Sequence, residues 1–475
     1  MQPTLDVYAS AREVAAAVRS RTVSARAITE QALARIDEVN GPINAFTVVL
    51  SGRALAAADV VDREVARGSD LPLAGVPLAV KDHVWLAGAP ATNGSRTLAD
   101  FVPDRDCVAV ERLQRAGAVV VGKTTNPEFC YRGDTESLLW GVTRNPWDLA
   151  LTPGGSSGGS GAAVATGMVA LAVGTDGGGS IRIPAAFCGI AGHKPTMGLV
   201  PALPGFRGWP TLSVTGPMAR TIADTATMLA VMAGPDPDDP GVRSTPEDLA
   251  HAGRARPDLR GLRIAVSSDF GFARIDDDVR SAFGQVVEAL RDLGAEVVTE
   301  NPTTPDPVAV WTTLAAAEGY ASEGPLLARA ELMSDDARAS VLSGADLSAR
   351  DYLDAQHDRR LICTEWSRLL QRVDVVISPG EQVLPFQVGH EGPPGWSDPS
   401  ALAAQWWGMD VIANLTGQPA ASVPTAIGPA GLPTGVQVMG ARFADALVLD
   451  VAATIEARVS RMPSSPPNYR SDQPG

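Results

Sequence analysis

The chain has 475 residues, with 54 acidic against 39 basic side chains and a net charge of −15. That balance argues against nucleic acid or an anionic membrane as a direct partner, since either calls for a basic face. A hydrophobic content of 45% and a charged content of 20% suit a globular protein with a substantial core, and the length admits two or three average domains or one large α/β unit.

The four cysteines, Cys107, Cys130, Cys188 and Cys363, show no CxxC spacing and no neighbouring histidine pair. Neither a disulfide framework nor a metal site is expected, and a reducing compartment is the default. Met1 to Arg19 carries Asp6 and Glu13 and lacks an apolar stretch of signal-peptide length, so it reads as an amphipathic helix. The weakly polar run Ala162 to Thr175 is too short to span a bilayer and is broken by Gly167. A soluble cytoplasmic protein is the simplest expectation.

In chain order, residues 9–40 show helical periodicity in two helices parted near Thr22-Val23-Ser24, with Ser24 as N-cap of the second. A helix is predicted over 53–67, then a buried strand Val76–Val80 that ends at Lys81. A helix over 106–116 precedes a strand Gly117–Gly122. Strands Leu262–Val266 and Ala295–Val298 flank a helix at 276–293, and Val373–Ile377, Ala421–Pro424 and Gly435–Met439 are later strands before a helix at 443–458. This alternation favours an α/β sheet with helices on both faces. Gly234–Gly241 and Glu391–Gly395 are candidate linkers, the first read as a surface loop rather than a domain boundary because strands resume soon after it, and residues 461–475, rich in Ser and Pro, read as a disordered tail.

Two motifs match well on letters and poorly on physics. Gly117-x4-Gly122-Lys123-Thr124 has the phosphate-loop spacing, but its interior Ala-Val-Val-Val wants to be a strand. Thr125-Asn126-Pro127 then disfavours the helix whose N-terminus would face the anion. Gly154-x-Ser156-x-Gly158 and Gly155-x-Ser157-x-Gly159 resemble nucleophile elbows, yet loop chemistry rather than a strand precedes them. The chain has five histidines, His83, His193, His251, His357 and His390; position alone excludes none of them as the base an elbow needs, and the elbow stays as the rival reading among serine hydrolases.

What remains is Lys81, at the end of an apolar run, with two serine-glycine blocks, Thr152–Ser160 and Gly174–Arg182. A serine hydroxyl needs a base, and lysine serves only if its pKa falls from about 10.4 toward 7–8, roughly 3.4 kcal/mol of preference for the neutral amine. Asp82 would oppose that fall, but consecutive residues of an extended chain point to opposite faces. Gly177-Gly178-Gly179-Ser180 offers consecutive N–H groups with nothing to obstruct a substrate, as an oxyanion hole requires.

These blocks resemble the amidase signature family. The resemblance rests on Thr152-Pro-Gly-Gly-Ser-Ser-Gly-Gly-Ser-Gly, Gly174-Thr-Asp-Gly-Gly-Gly-Ser-Ile-Arg-Ile-Pro-Ala-Ala-Phe-Cys-Gly and Gly192-His-Lys-Pro-Thr, together with Gly75-Val-Pro-x-x-Val-Lys-Asp, Gly216-Pro-Met-Ala-Arg-Thr and Asn414-Leu-Thr-Gly. It runs from about residue 5 to 458 and implies one α/β domain over 1–460, a central mixed β-sheet surrounded by α-helices. It further implies a Ser–Ser–Lys triad with Ser180 as nucleophile, Ser156 as bridging serine on a cis peptide, and Lys81 as base. Gly177, Gly178, Gly179 and Ser180 would supply the oxyanion hole, and Ser157, Asp176 and Arg182 would orient the loops. No cofactor or metal is called for. The partner implied is a small amide rather than nucleic acid or membrane, and a homodimer is allowed.

Two departures bear on substrate, the strand end at Ser378 and the aromatic segment Pro204-Gly-Phe-Arg-Gly-Trp-Pro210. Ser378-Pro-Gly-Glu381 replaces the family's usual Thr-Pro-Thr-like strand end, placing a carboxylate near the expected pocket. Loops bearing Phe129, Cys130, Tyr131, Phe206 and Trp209 are expected to wall that pocket for aryl or alkyl groups. Three functions compete. The first is a stand-alone amidase, extending to aryl acylamides, esters or carbamates. The second is the glutamine-hydrolysing component of an aminoacyl-tRNA amidotransferase, whose usual Asn-Leu-x-Arg-Tyr-Asp-Gly block is missing from Tyr320 to Asp336. The third is a silent binding protein of the same fold.

Overall fold

The computed structural model describes residues 5–243, 248–396 and 405–469. In chain order the strands are β1 (Phe46–Val49), β2 (Pro77–Lys81), β3 (Val119–Thr124), β4 (Glu136–Ser137), β5 (Gly141–Val142), β6 (Leu171–Asp176), β7 (Ala191–Lys194), β8 (Val214–Ala219), β9 (Arg263–Val266), β10 (Glu296–Thr299), β11 (Val375–Pro379), β12 (Ala420–Ile427) and β13 (Pro433–Gly440). β4 and β5 pair by themselves, and the other eleven form one sheet ordered β1-β3-β2-β6-β8-β7-β12-β13-β11-β9-β10. β2 runs parallel to both its neighbours, β9 likewise, and the remaining pairs are antiparallel, so the sheet is mixed and flanked by helices.

The central strands are continuous apolar runs because both faces are covered; every residue of β2, β3 and β6 is buried. Registry then does the positioning. Leu78, Ala79 and Val80 of β2 pair with Leu171, Ala172 and Val173 of β6, so Lys81 emerges beside Gly174 and Thr175 at the same carboxyl edge of the sheet. Carboxyl edges of parallel strands are where α/β folds gather ligands.

The predicted elements are present with ends shifted by a few residues. Ser10 and Ser24 cap the helices Ala11–Arg19 and Ala25–Ile43, and Ser10 shares a capping box with Glu13. The sequence reading did not assign the helices Gly158–Ala165, Arg182–Cys188, Pro307–Glu323 and Ala349–Leu369, nor β6, β7 and β8. Gly158–Ala165 has three glycines in eight residues, a poor helix by propensity; every residue is buried, so packing decides.

Of the tail expected to be disordered, residues 461–469 lie against the body. Arg461 N donates to Thr425 O at 2.7 Å, and Arg35 Nη2 donates to Tyr469 O at 3.0 Å. Residues 470–475 fall outside the described residues. Among the described residues no helix is long and apolar enough to cross a membrane.

Candidate active site

Lys81 is fully buried, and its Nζ lies 2.6 Å from Ser156 Oγ and 2.8 Å from Thr175 Oγ1. Burial pushes the amine below the ordinary lysine value, although Cys130, Asp176 and Asp82 pull it back upward. A neutral amine has one lone pair and two N–H bonds, so it can accept from Ser156 while donating to Thr175. Thr175 belongs to the second glycine block, and its role becomes visible only through the β2–β6 register.

Ser156 follows Gly155 across a cis peptide bond, as the resemblance implied. Gly155 makes room there: a Cβ on it would stand 2.2 Å from Asp134 O. Ser157 N donates to Ser180 O at 3.1 Å, and Ser157 Oγ donates to Thr175 O at 3.2 Å, which ties the two serine blocks together.

Ser180 and Ser156 line one cavity of about 230 Å³. No hydrogen bond joins their hydroxyls among the described residues, so the outer link of the expected relay is a matter of shared cavity rather than closed contact. Ser180 also lines a second cavity of about 200 Å³ and thus sits where two spaces meet.

The glycine run is shaped as much by its packing as by access. A Cβ at Gly177 would come within 2.7 Å of Trp209, at Gly178 within 2.7 Å of Trp311, and at Gly179 within 2.9 Å of Asp410. Gly179 in addition has φ +112°. Trp311 Nε1 donates to Gly177 O at 2.7 Å and fixes the peptide that precedes Gly178. The expected oxyanion donors divide. Gly179 N donates to Asp176 Oδ1 at 2.9 Å and is therefore engaged, a correction to the sequence reading. The N–H groups of Gly177, Gly178 and Ser180 carry no hydrogen bond among the described residues.

Asp176 and Arg182 brace this loop from behind, both fully buried. Arg182 donates through Nε and Nη2 to the two Asp176 oxygens at 2.9 Å each, and through Nη1 to Asp410 O, Asp410 Oδ1 and Gln437 Oε1. Burial alone would raise the Asp176 carboxyl, but the Arg182 charge outweighs it and holds the group well below the usual carboxylate range.

Of the expected pocket residues, Phe129, Cys130, Phe206 and Trp209 line the first cavity, and Cys130, Tyr131 and Trp209 the second. Glu381 lines neither. It is 7% exposed behind the glycine loop, with Asp410 as its charged neighbour, and neither of its oxygens meets a hydrogen-bond partner in good geometry among the described residues. The sequence placed it near the substrate because β11 ends there, whereas its side chain packs under the loop. Trp311 and Glu323, both lining residues, were missed because their helix, Pro307–Glu323, is apolar on most sides and shows no helical stripe.

The rival motifs resolve in the same geometry. Lys123 is fully buried and donates to the carbonyls of Asp82, Val84 and Pro90, an internal brace and no phosphate ligand. His83 lines the first cavity, but its Nδ1 faces Asn93 at 2.9 Å, and burial lowers its pKa to about 4. His193 is sealed against Asp445. No histidine bonds either serine among the described residues.

The family model described as Amidase matches residues 27–449. An acylamidase of Rhodococcus erythropolis is 36% identical over 462 residues, covering 95% of each chain. The glutamyl-tRNA(Gln) amidotransferase of Bdellovibrio bacteriovorus has an A-type chain that is 34% identical over 483 residues, covering 94% of this chain and 96% of its own. A solved bacterial aryl acylamidase superposes with a TM-score of 0.88 at 28% identity, covering 95% of this chain and 96% of that one.

Proposed function

The chain belongs to the amidase signature family of hydrolases that cleave C–N bonds, and from that premise we propose that it is a stand-alone amidase working through Lys81, Ser156 and Ser180. The observation that carries this reading is the buried Lys81 amine 2.6 Å from Ser156, with Ser156 and Ser180 on one cavity.

Neutral Lys81 takes the Ser156 proton as Ser156 takes that of Ser180, whose oxygen attacks the amide carbon. The carbonyl π pair moves onto oxygen, facing the open N–H groups of Gly177, Gly178 and Ser180. The relay returns the proton to the amide nitrogen, the C–N bond breaks and the amine leaves. Water then repeats the sequence on the Ser180 ester and releases the acid.

Aromatic side chains line both cavities at Ser180, among them Phe206 and Trp209 in the first and Trp311 and Trp407 in the second, which favours apolar acyl and amine halves such as acyl anilides. Glutamine hydrolysis for a tRNA amidotransferase is the second reading, favoured by the relative that carries that name. The Tyr320–Asp336 stretch, lacking the block usual in that enzyme, speaks against it.

The test is an assay of purified protein alone on a chromogenic acyl anilide and on glutamine. Anilide turnover that disappears in Ser180→Ala is expected; glutaminase activity appearing only with added partner chains would favour the second reading.

A further inference from the structure

Glu323, the last residue of the helix Pro307–Glu323, is a carboxyl group in the proposed substrate cavity that forms no ion pair among the described residues. It is 7% exposed and lines the same 230 Å³ cavity as Ser156 and Ser180. It also lines an adjoining cavity of about 110 Å³. Ser322 Oγ donates to its Oε1 at 2.7 Å, whereas Oε2 has no hydrogen bond among the described residues.

No lysine or arginine forms an ion pair with it among the described residues. The titratable groups facing it are His83, which burial keeps neutral, and Cys130, whose thiol burial pushes up. Arg207, another lining residue, spends its Nη1 on Ala321 O at 3.1 Å. These surroundings hold Glu323 near a pKa of about 7, raised by burial.

Trp85, Phe129, Phe206 and Trp209 wall the same cavity, and Phe129 and Trp209 line the adjoining one with Glu323 as well. Trp85 and Phe206 meet edge to face at 5.8 Å, and His83 lies against Phe206 at 5.5 Å. A buried carboxylate is unfavourable until a cation pairs with it, and aromatic faces attract the same cation. One ligand chemistry satisfies both.

Resting on the amidase reading above, we infer that Glu323 is a specificity-determining residue that receives a cationic nitrogen, an ammonium or amidinium, borne by the amide away from its scissile carbonyl. Oε2 accepts the N–H, and the aromatic walls cover the remainder of the cation.

The experiment compares matched p-nitroanilides and amides. One series carries an ω-ammonium on the acyl half against a methyl of equal length; the other places the same pair on the amine half. In wild type, kcat/KM is expected to favour the cation by about tenfold in one series, through KM. Glu323→Gln is expected to bring that ratio to about one, and Glu323→Asp to keep part of it. A ratio near one in wild type in both series overturns the inference. So does a preference that survives Glu323→Gln, or a loss shared equally by charged and neutral substrates, which would mark a structural role.

A second readout needs no turnover: calorimetric titration of benzylammonium and of neutral benzyl alcohol into wild type and Glu323→Gln. Selective binding of the cation that vanishes in the variant supports the assignment even where no anilide is cleaved, which would sink the amidase reading alone. Equal binding of both ligands to wild type overturns the assignment and leaves the amidase reading standing.

Discussion

Lys81 and Asp82 are adjacent in sequence and leave β2 in opposite directions. Nζ of Lys81 meets Ser156, while the Asp82 carboxylate accepts from Thr92 N, Thr92 Oγ1 and Gly94 N in a separate buried nest. The carboxylate that would otherwise anchor a charged lysine is thus occupied elsewhere, and burial can lower the amine. A base at this point depends on that division.

The amine's pH behaviour follows. A lysine lowered by burial loses its proton as pH rises through the lowered value, so kcat on an acyl anilide should climb with pH until the amine is fully neutral. Lys81→Met should lower kcat by about 10²–10⁴-fold and abolish that rising limb. A Lys81→Met rate with the wild-type limb intact would assign the titration to another group.

Arg182 pairs with Asp176 at 2.9 Å and with Asp410 at 3.1 Å, and all three side chains are buried. Arg182→Met leaves two buried carboxyls without their cation, which should destabilise the fold by about 3–5 kcal/mol in denaturant titration. The loss is expected in activity as well, since Gly179 N and Ile181 N both hang on Asp176. Asp176 is held low in the fold, so its contribution is present above the ordinary carboxyl value and lost as pH falls toward the depressed one. In Arg182→Met that acid-side slope should flatten.

Glu381 works with the opposite sign. Burial, reinforced by neighbouring Asp410, raises its carboxyl well above the usual range. Stability from such a group is complete below the ordinary carboxyl value and is lost as pH climbs through the raised one. Glu381→Gln removes that titration while keeping the shape, so Tm measured from about pH 5 to pH 9 should fall less steeply than in wild type. Parallel curves would mean that folded Glu381 titrates as it does in the unfolded chain, and would overturn the raised carboxyl.

Gly178→Ala tests why the loop is bare. The added methyl would meet the Trp311 ring at 2.7 Å. Overpacking of this kind costs about 1–3 kcal/mol, and here it displaces the peptide that the proposed mechanism offers to the oxyanion. A lower Tm with a larger proportional loss of kcat is expected; Trp311→Phe in the same chain should recover stability more than rate, because the Nε1 bond to Gly177 O goes with the indole.

Much of the candidate site was legible in the sequence alone. The apolar run ending at Lys81, the serine blocks and the Asp176–Arg182 spacing are local, and local patterns survive in a linear string. The cavity walls divide on the same ground. Phe129, Phe206 and Trp209 announced themselves as loop aromatics, while Trp311 and Glu323 lie on a helix with no polar face to reveal its orientation. Glu381 was misplaced because a strand end fixes where a backbone stops and says nothing of which side its next side chains take.

The order of letters sets the chemistry available: a lysine in apolar surroundings, paired alcohols and a glycine run, arranged as in the amidase signature family. Three relationships came from the folded chain alone. Thr175 shares the Lys81 amine, Gly179 spends its N–H on Asp176, and Glu323 shares a cavity with the serines while forming no ion pair among the described residues. Each depends on how strands register or loops and helices pack once folded, and pairings of that kind leave no mark on neighbouring letters.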